Sequence, residues 1–543
     1  MAKKGNAQKW QSTKEKNGFD KTGTRKDSAS FVIGGRFLLI LLLGVSFSAG
    51  CTTSHGSRRT LALDPQLQKV RNRELPKEAL TKAYAHYAMG ALHENENRIR
   101  EAVREFERAL AYDKNSSAIH TRLGAGYIKL RQFDKAIKEL KTAKILDPTD
   151  ERPRALLALL YISLRRFPEA IQEYEEALKE HPQDPRILFS LADLYVLQGK
   201  LEEAEKIYQT LIAEEENGLL HFNLGIIDSR LLKWSDAEKH FKRAGELEPQ
   251  FVDARLALGI LYELRKETDK AIAEYEKVLS IDPLNPRVYL RLGQIYSDKG
   301  KTGEAIKQLE SLLKIDPDSL EGTLELGYLY LKENHANQTV ALLEPLVTKG
   351  KKQYELYFLL GLAYRTLEKY DLSLEAYLKS LELKPDQALA HFYLGALYDR
   401  MGKKEEAVSA FKRAIELDPK NPDVYNYLGY LYAEEGIHLE EAVALIQKAL
   451  ALDPENGAYI DSLGWAYYKL GKVEEAKKEV ERADLLLRND PTVLDHLGEI
   501  YFKQGEFEKS ERAWEKSYSI EQNEAVKKKL ERLKTTSKNE GKK

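Results

Sequence analysis

The stretch "YLGALYDRMGKKEEAVSAFKRAIELDPKN", residues 393–421, contains every element of a pattern that recurs along most of the chain. Its small residue is Gly395, the aromatic Tyr398 follows three positions later, and Ala407 lies twelve positions after the glycine. Pro419 stands near its end. The small residue returns at intervals of 33 to 35 residues, with most of the other features in phase. A fixed period of this length indicates one repeated supersecondary unit rather than several unrelated domains.

A small residue lets two helices approach closely, and a proline disfavours continuation of the preceding helix. A single helix pair cannot bury its apolar face, but stacked pairs share a continuous core. The pattern therefore predicts an all-α stack of helix–turn–helix units. The small residue marks thirteen such units, at Gly90, Gly124, Ala158, Ala192, Gly225, Gly259, Gly293, Gly327, Gly361, Gly395, Gly429, Gly464 and Gly498.

Residues 83–524 resemble tetratricopeptide repeats in thirteen consecutive units. The resemblance implies a right-handed α-solenoid whose first helices line a concave groove. The repeat is degenerate near 320–387, where Thr339 and Ser373 replace the usual alanine, and we expect weaker packing there. Residues 525–543 are predicted to form a capping helix followed by a basic tail.

The only cysteine, Cys51, follows fourteen apolar or small residues, Phe37 to Gly50. As a helix this stretch would span about 21 Å, less than the ~30 Å hydrocarbon core of a bilayer. Residues 1–50 are therefore predicted to be a leader and signal peptide. The sequence "SAGC" at 48–51 resembles the bacterial lipobox, although Ser48 stands where that motif usually has Leu. The resemblance implies that Cys51 becomes a lipid-modified N-terminus carrying fatty acyl chains such as palmitate.

Thr52 follows the cysteine, which in enteric bacteria implies export to the outer membrane. Residues 51–82, rich in Thr, Ser and charged residues, are predicted to be a lipid-anchored flexible tether. An uncleaved N-terminal anchor remains open as an alternative.

Charge and composition exclude other classes of protein. The net charge is −1, and residues 1–36 carry nine Lys or Arg against three Asp or Glu. The rest of the chain has 76 basic and 83 acidic residues. Nucleic-acid binding requires concentrated basic surface, so we expect no nucleic-acid partner.

No stretch resembles an active site: phosphate loops, GxSxG, HExxH and CxxC pairs are all missing from the sequence. We therefore predict a protein that is not an enzyme and that takes no cofactor, metal or small-molecule substrate. His86, His120, His221 and His391 share one repeat position and are interpreted as packing residues rather than metal ligands.

In the tetratricopeptide family the fifth and ninth residues of each first helix face the groove. Those positions form an apolar stripe that we expect to receive an apolar segment of a partner protein. Tyr430 and Trp465 belong to a more polar and acidic end, with Asn426, Asp461, Asp495 and Glu499, which we expect to receive a more basic segment. The stripe is Leu159, Phe189, Phe222, Ile226, Leu256, Ile260, Leu290, Leu324, Tyr328, Phe358, Leu362 and Phe392.

The sequence thus predicts a lipid-anchored, periplasm-facing scaffold or adaptor of a bacterial cell envelope, held at its outer membrane. Scaffolds of this kind assemble secretion, pilus or polysaccharide-export machines. The alternative is a regulatory or substrate-recruiting subunit of an envelope enzyme, such as a cell-wall hydrolase or glycosyltransferase.

Overall fold

A computed structural model describes residues 76–540, with side chains to residue 533. Regular secondary structure in this range consists of 27 α-helices, arranged as thirteen consecutive pairs and one final helix. The predicted all-α repeat fold is confirmed. The signal peptide, Cys51 and most of the predicted tether lie outside the described residues. The chain divides into an N-terminal unit that ends at Asn285 and a C-terminal unit that begins at Pro286.

The N-terminal unit holds six helix pairs: α1 (Lys77–Asn95), α2 (Ile99–Tyr112), α3 (Ser117–Lys129), α4 (Phe133–Leu146), α5 (Glu151–Ser163), α6 (Phe167–Glu180), α7 (Pro185–Gln198), α8 (Leu201–Glu214), α9 (Gly218–Arg230), α10 (Trp234–Leu247), α11 (Val252–Leu264) and α12 (Thr268–Ile281).

The C-terminal unit holds seven pairs and the final helix: α13 (Pro286–Asp298), α14 (Thr302–Ile315), α15 (Leu320–Lys332), α16 (Ala336–Thr348), α17 (Tyr354–Thr366), α18 (Tyr370–Leu383), α19 (Ala388–Arg400), α20 (Lys404–Leu417), α21 (Pro422–Glu435), α22 (Leu439–Leu452), α23 (Gly457–Lys469), α24 (Val473–Leu487), α25 (Pro491–Gln504), α26 (Phe507–Ile520) and α27 (Glu524–Glu540).

The first helix is longer than predicted. It begins at Lys77, directly after Pro76, so residues 77–82 belong to the first repeat and not to the tether. Proline is compatible with a helix start because its fixed φ suits the first turn and its missing N–H is not needed there. The residues that follow, Lys-Glu-Ala-Leu, are good helix formers.

Side-chain caps start many first helices. The side chains of Ser116, Asp150 and Asp184 accept hydrogen bonds from backbone N–H groups in the first turn of α3, α5 and α7. Each cap satisfies one of the N–H groups that a helix start leaves without a partner. These caps fix where the second, third and fourth repeats begin.

Within each pair, a residue with positive φ links the first helix to the second. Gly199 and Gly402 have φ of 76° and 77°, which glycine adopts without steric cost. Arg131 and Leu232 adopt φ of 59° and 60° at the equivalent turns, where a side chain costs roughly 1–2 kcal/mol. Packing of the two helices therefore holds the turn even where glycine is missing.

The recurrent small residue faces the second helix of its own pair. A Cβ added to Gly225 or Gly395 would lie 2.7 or 2.8 Å from the ring of Phe241 or Phe411. These distances are too short for an undisturbed side chain, so the glycines permit the close approach of the helices.

The degenerate repeats compensate for their missing alanines. Thr339 and Ser373 are both fully buried. Their hydroxyls donate to the Gly327 and Gly361 carbonyl oxygens at 3.0 and 2.8 Å. A satisfied hydroxyl avoids the cost of a buried polar group. The weaker packing expected near these repeats stays a prediction.

The recurrent tyrosine ties neighbouring repeats together. The Tyr127 and Tyr330 hydroxyls donate to Glu107 and Glu310, twenty residues earlier on the preceding second helix, at 2.6 and 2.8 Å. Tyr127 and Tyr330 thus combine packing between repeats with a hydrogen bond to a carboxylate.

Glu238 of α10 accepts a hydrogen bond from another recurrent tyrosine, Tyr262, at 3.0 Å. Burial raises the pKa of Glu238, but hydrogen bonds from Lys242, Tyr262 and Arg265 outweigh burial and lower it to about 2. A carboxyl whose pKa is lower in the folded state stabilises the fold above its unfolded pKa and loses this effect as pH falls. We expect Glu238→Gln to cost about 1–3 kcal/mol at pH 7, and less as pH falls from about 4.5 towards 2. Thermal unfolding of both proteins across this pH range measures the difference, and a pH-independent difference would contradict the assignment.

The final helix, α27, covers the end of the C-terminal unit. Its apolar residues Val526, Leu530 and Leu533 are at most 8% exposed and pack with Trp514 of α26. Lys527, Lys528 and Glu531 of the same helix are exposed, as a cap requires. Among the described residues, no helix is both long and apolar enough to cross a membrane.

Candidate functional site

The first helices of the last three repeats carry a polar cluster, which we define as Asn426, Tyr430, Asp461, Trp465, Asp495 and Glu499. They occupy the positions three before and one after the small residue in α21, α23 and α25. In the two preceding repeats, the position that Asn426 and Asp461 hold is Phe358 and Phe392. The side chain at this repeat position therefore changes from aromatic to polar within the C-terminal unit.

Asp461 is the buried centre of the cluster, with 0% exposure. Its Oδ1 lies 2.8 Å from Nδ1 of His496, which comes from the next repeat. The His496 ring stacks on the Trp465 indole, with 4.1 Å between the centroids and 13° between the planes. The Trp465 Nε1–H donates to Glu434 Oε2 at 2.8 Å. One chain of contacts thus connects three repeats and fixes the orientation of each ring.

Two buried acceptors in the cluster have no hydrogen-bond partner among the described residues. They are Asp461 Oδ2 and Asn426 Oδ1, and Asn426 is only 3% exposed. A buried acceptor without a donor costs about 1–3 kcal/mol. Both atoms lie inside the stack of repeats, so they lower its stability and do not face solvent.

Negative potential converges on Tyr430. Burial raises the pKa of Tyr430 well above its usual value, and the carboxylates of Glu434, Asp461 and Asp495 raise it further. Ionising a phenol beside carboxylates is costly because like charges repel in a medium of reduced dielectric constant. The Tyr430 hydroxyl therefore stays protonated, within a surface that favours positive charge.

Lys529 of α27 neutralises part of this surface. Its Nζ lies 2.7 Å from Asp495 Oδ1 and 2.8 Å from Glu499 Oε1. Burial lowers the pKa of Lys529, but the two carboxylates outweigh burial and raise it. Trp514 Nε1–H also donates to Asp495 Oδ1 at 2.9 Å. The final helix thus orients the acids of the last repeat, while Asp461 and Glu434 lie outside its ion pairs.

The structure corrects the expected exposure of the largest residues in the predicted groove. Phe222, Phe358 and Phe392 are 3%, 6% and 8% exposed. Each packs on an aromatic ring nineteen residues later, with centroids 6.0 to 6.1 Å apart. They therefore belong to the core between paired helices, because an aromatic side chain at this position reaches its second helix.

Most other predicted groove residues are accessible to a varying degree. Trp465 is buried, at 8% exposure, whereas Tyr328 and Leu159 are 39% and 59% exposed. The protein-binding role of the groove residues stays a prediction. Half-buried are Phe189, Ile226, Leu256, Ile260, Leu290, Leu324, Leu362 and Tyr430.

Sequence reasoning missed His496, Glu434 and Lys529. His496 lies two residues before the small Gly498 and not at the position shared by the other histidines. Its pairing with Asp461 spans 35 residues, and only the stacking of adjacent repeats brings the two together. The sequence signal for this contact was Asp461, an acid at the repeat position that holds Phe in earlier repeats.

The histidines at the shared position take part in polar contacts. His86 and His120 pair through Nδ1 with Glu105 and Glu139 at 2.7 and 2.6 Å. Within residues 76–540, no group of three or more His, Cys, Asp or Glu side chains is arranged to hold a metal ion.

Comparison with solved structures finds similar helical-repeat chains. The Cut9–Hcn1 hetero-tetramer of APC/C is 17% identical over 84% of this chain and 97% of the other, with a TM-score of 0.41. Naa15/Naa10 bound to HypK-THB is 15% identical over 86% of this chain and 92% of the other, with a TM-score of 0.36. MamA from Desulfovibrio magneticus RS-1 is 22% identical over 31% of this chain and 96% of the other, with a TM-score of 0.29. No curated protein matches the chain.

Family profiles match more than half of the sequence. The profile described as tetratricopeptide repeat matches residues 95–160, 161–221, 233–295, 264–320 and 438–498. A second, described as TPR repeat, matches residues 361–402 and 400–436. The helix pairs, their period and these matches agree. The chain therefore belongs to the tetratricopeptide repeat family.

Proposed function

We propose that this repeat protein is a lipid-anchored scaffold of a bacterial cell envelope, facing the periplasm at the outer membrane, which binds a basic segment of a partner protein at its polar cluster. The observation that carries the binding part is the exposed carboxylate of Glu434, which accepts the Trp465 N–H and lies outside the ion pairs of Lys529. Binding rather than catalysis fits the family, whose stacked repeats present extended surfaces to other proteins.

A basic partner suits the charges of the cluster. Asp461, Glu434, Asp495 and Glu499 supply four carboxylates, and Lys529 pairs only with the last two. The Lys469 ammonium lies 4.9 Å from the Trp465 ring centroid, which illustrates that a cation is compatible with this aromatic surface. A lysine or arginine of a partner would pair with the carboxylates of the cluster that reach solvent, Glu434 and Glu499.

The anchoring part rests on Cys51 and predicts a covalent lipid. Cells grown with radiolabelled palmitate should incorporate label into the wild-type protein and not into Cys51→Ala. The variant should also leave the membrane fraction, because acyl chains contribute about 0.8 kcal/mol per buried CH₂ to membrane binding. A labelled Cys51→Ala protein, or an unlabelled wild type, would contradict this anchor.

If the polar cluster binds a basic segment, replacing its glutamates by the similarly shaped glutamine should lower the affinity for basic peptides. We expect Glu434→Gln with Glu499→Gln to weaken binding of lysine- and arginine-rich peptides by about tenfold or more, since unpaired interfacial charges cost about 2–5 kcal/mol. Glutamine still offers an oxygen to the Trp465 N–H. The measurement is fluorescence anisotropy of defined basic peptides at two salt concentrations.

The matched control removes the same number of charges from the exposed start of α20, as Glu405→Gln with Glu406→Gln. This control should bind like the wild type. Equal affinity of all three proteins would reject the polar cluster as the binding surface.

A further inference from the structure

The fifth repeat differs from the first two at one pair of positions. In the first two repeats the shared histidine faces a glutamate nineteen residues later, as His86 faces Glu105. In the fifth repeat the corresponding residue is His240, whose Nδ1 lies 2.8 Å from Nδ1 of His221. Two imidazole nitrogens therefore meet where a nitrogen and a carboxylate meet elsewhere.

The outer nitrogen of each imidazole faces a carboxylate. His221 Nε2 lies 2.8 Å from Glu216 Oε1, and Arg243 holds that carboxylate with bonds of 2.7 and 2.8 Å. His240 Nε2 lies 3.8 Å from Asp228 Oδ2. Asp228 is 2% exposed, and its Oδ1 has no partner among the described residues.

These contacts fix the protons of the neutral pair. A carboxylate only accepts, so His221 carries its proton on Nε2 and presents a lone pair at Nδ1. The His240 Nδ1–H then donates to that lone pair. A single proton then lies between the two Nδ1 atoms, and a carboxylate near each Nε2 orients the ring. Carboxylates near the second ring nitrogen orient metal-binding imidazoles in the same way.

We propose that His221 and His240 bind one divalent late first-row metal ion, such as Zn²⁺, through their Nδ1 atoms, with water completing the coordination. The ion takes the place of the shared proton, and the His240 ring keeps one proton, now on Nε2. That N–H points towards Asp228 Oδ2, the carboxylate oxygen that lies 3.8 Å from Nε2. No electron transfer is involved.

Binding requires the two rings, whose centroids lie 5.1 Å apart, to separate and to tilt until both Nδ1 lone pairs point at one ion. Two Zn–N bonds of 2.0–2.1 Å in a tetrahedral arrangement place the nitrogens about 3.3 Å apart, so the rings separate by about half an ångström. The His240 side chain is 25% exposed, against 8% for His221. The ion can therefore enter from the side of His240, and the His240 ring is the one that moves. Imidazole ligands favour zinc, copper and nickel over magnesium and calcium.

Calorimetric titration of the full chain with Zn²⁺ tests the site, in a Cys51→Ser background that removes the competing thiol. We expect one Zn²⁺ per chain and a higher Tm with Zn²⁺, since a ligand that binds the folded state stabilises it. His240→Glu should weaken Zn²⁺ binding by about tenfold or more and abolish the shift in Tm.

The His240→Glu variant restores the His–Glu pair of the first two repeats, so it should fold normally. His120→Ala, which removes the histidine at the same position of the second repeat, should leave Zn²⁺ binding unchanged. Undiminished binding by His240→Glu, or no binding by the background protein, would overturn the proposal.

Discussion

Replacing Asp461 with alanine should lower the free energy of unfolding by about 3–5 kcal/mol. The side chain is fully buried and its Oδ1 contacts His496, so alanine leaves His496 without its partner in the core. The loss should extend to the stacked Trp465, since the histidine ring is positioned by this contact. Urea unfolding followed by circular dichroism measures the loss, and amide hydrogen exchange in α23 and α25 locates it.

A double variant separates the broken pair from a general effect of altered packing. Asp461→Leu with His496→Leu replaces both partners by apolar groups, which often costs little, and should recover most of the lost stability. If it is no more stable than Asp461→Ala, the contact between Asp461 and His496 is not what holds these repeats together.

Gly429→Ala should cost about 1–3 kcal/mol through overpacking. A Cβ at this position would lie 2.6 Å from Ile446 Cγ1 and 2.9 Å from the Ala442 carbonyl oxygen. Because one of these atoms belongs to the backbone of α22, rotation of a side chain does not relieve the contact. The same unfolding measurement applies.

Gly327→Ala provides the matched control. Its nearest contact would be Leu343 Cδ1 at 3.5 Å, an ordinary separation. Alanine should be neutral there or stabilise the helix by roughly 0.5–1 kcal/mol. Equal destabilisation by both substitutions would show that the small residue is needed for a reason other than close approach of the helices.

Much of the fold could be predicted because the same residue pattern recurs in every repeat. Thirteen occurrences of the small residue identified the thirteen helix pairs. The first boundary was six residues too late, since α1 extends back to Lys77 beyond the length of the other first helices. The turns at Arg131 and Leu232 carried no signal, as non-glycine residues rarely adopt positive φ.

The site was less predictable because exposure depends on side-chain size as well as on position. Phe222 and Tyr328 were assigned to one groove-facing stripe, yet they are 3% and 39% exposed. The Phe222 ring packs on Phe241. An assignment from repeat position alone takes no account of such contacts. The polar cluster was recognised from Asp461 and Trp465, but its contacts to His496 join different repeats and are not encoded locally.

The most direct test of the proposed scaffold is photocrosslinking in the native envelope from position 430. p-Benzoylphenylalanine would replace the half-buried Tyr430, and in a control protein the half-buried Tyr518 on α26. The account predicts that position 430 captures one discrete partner through a lysine- or arginine-rich peptide, identified by mass spectrometry, and that position 518 does not. No protein adduct from position 430, or the same adduct from both positions, would contradict it.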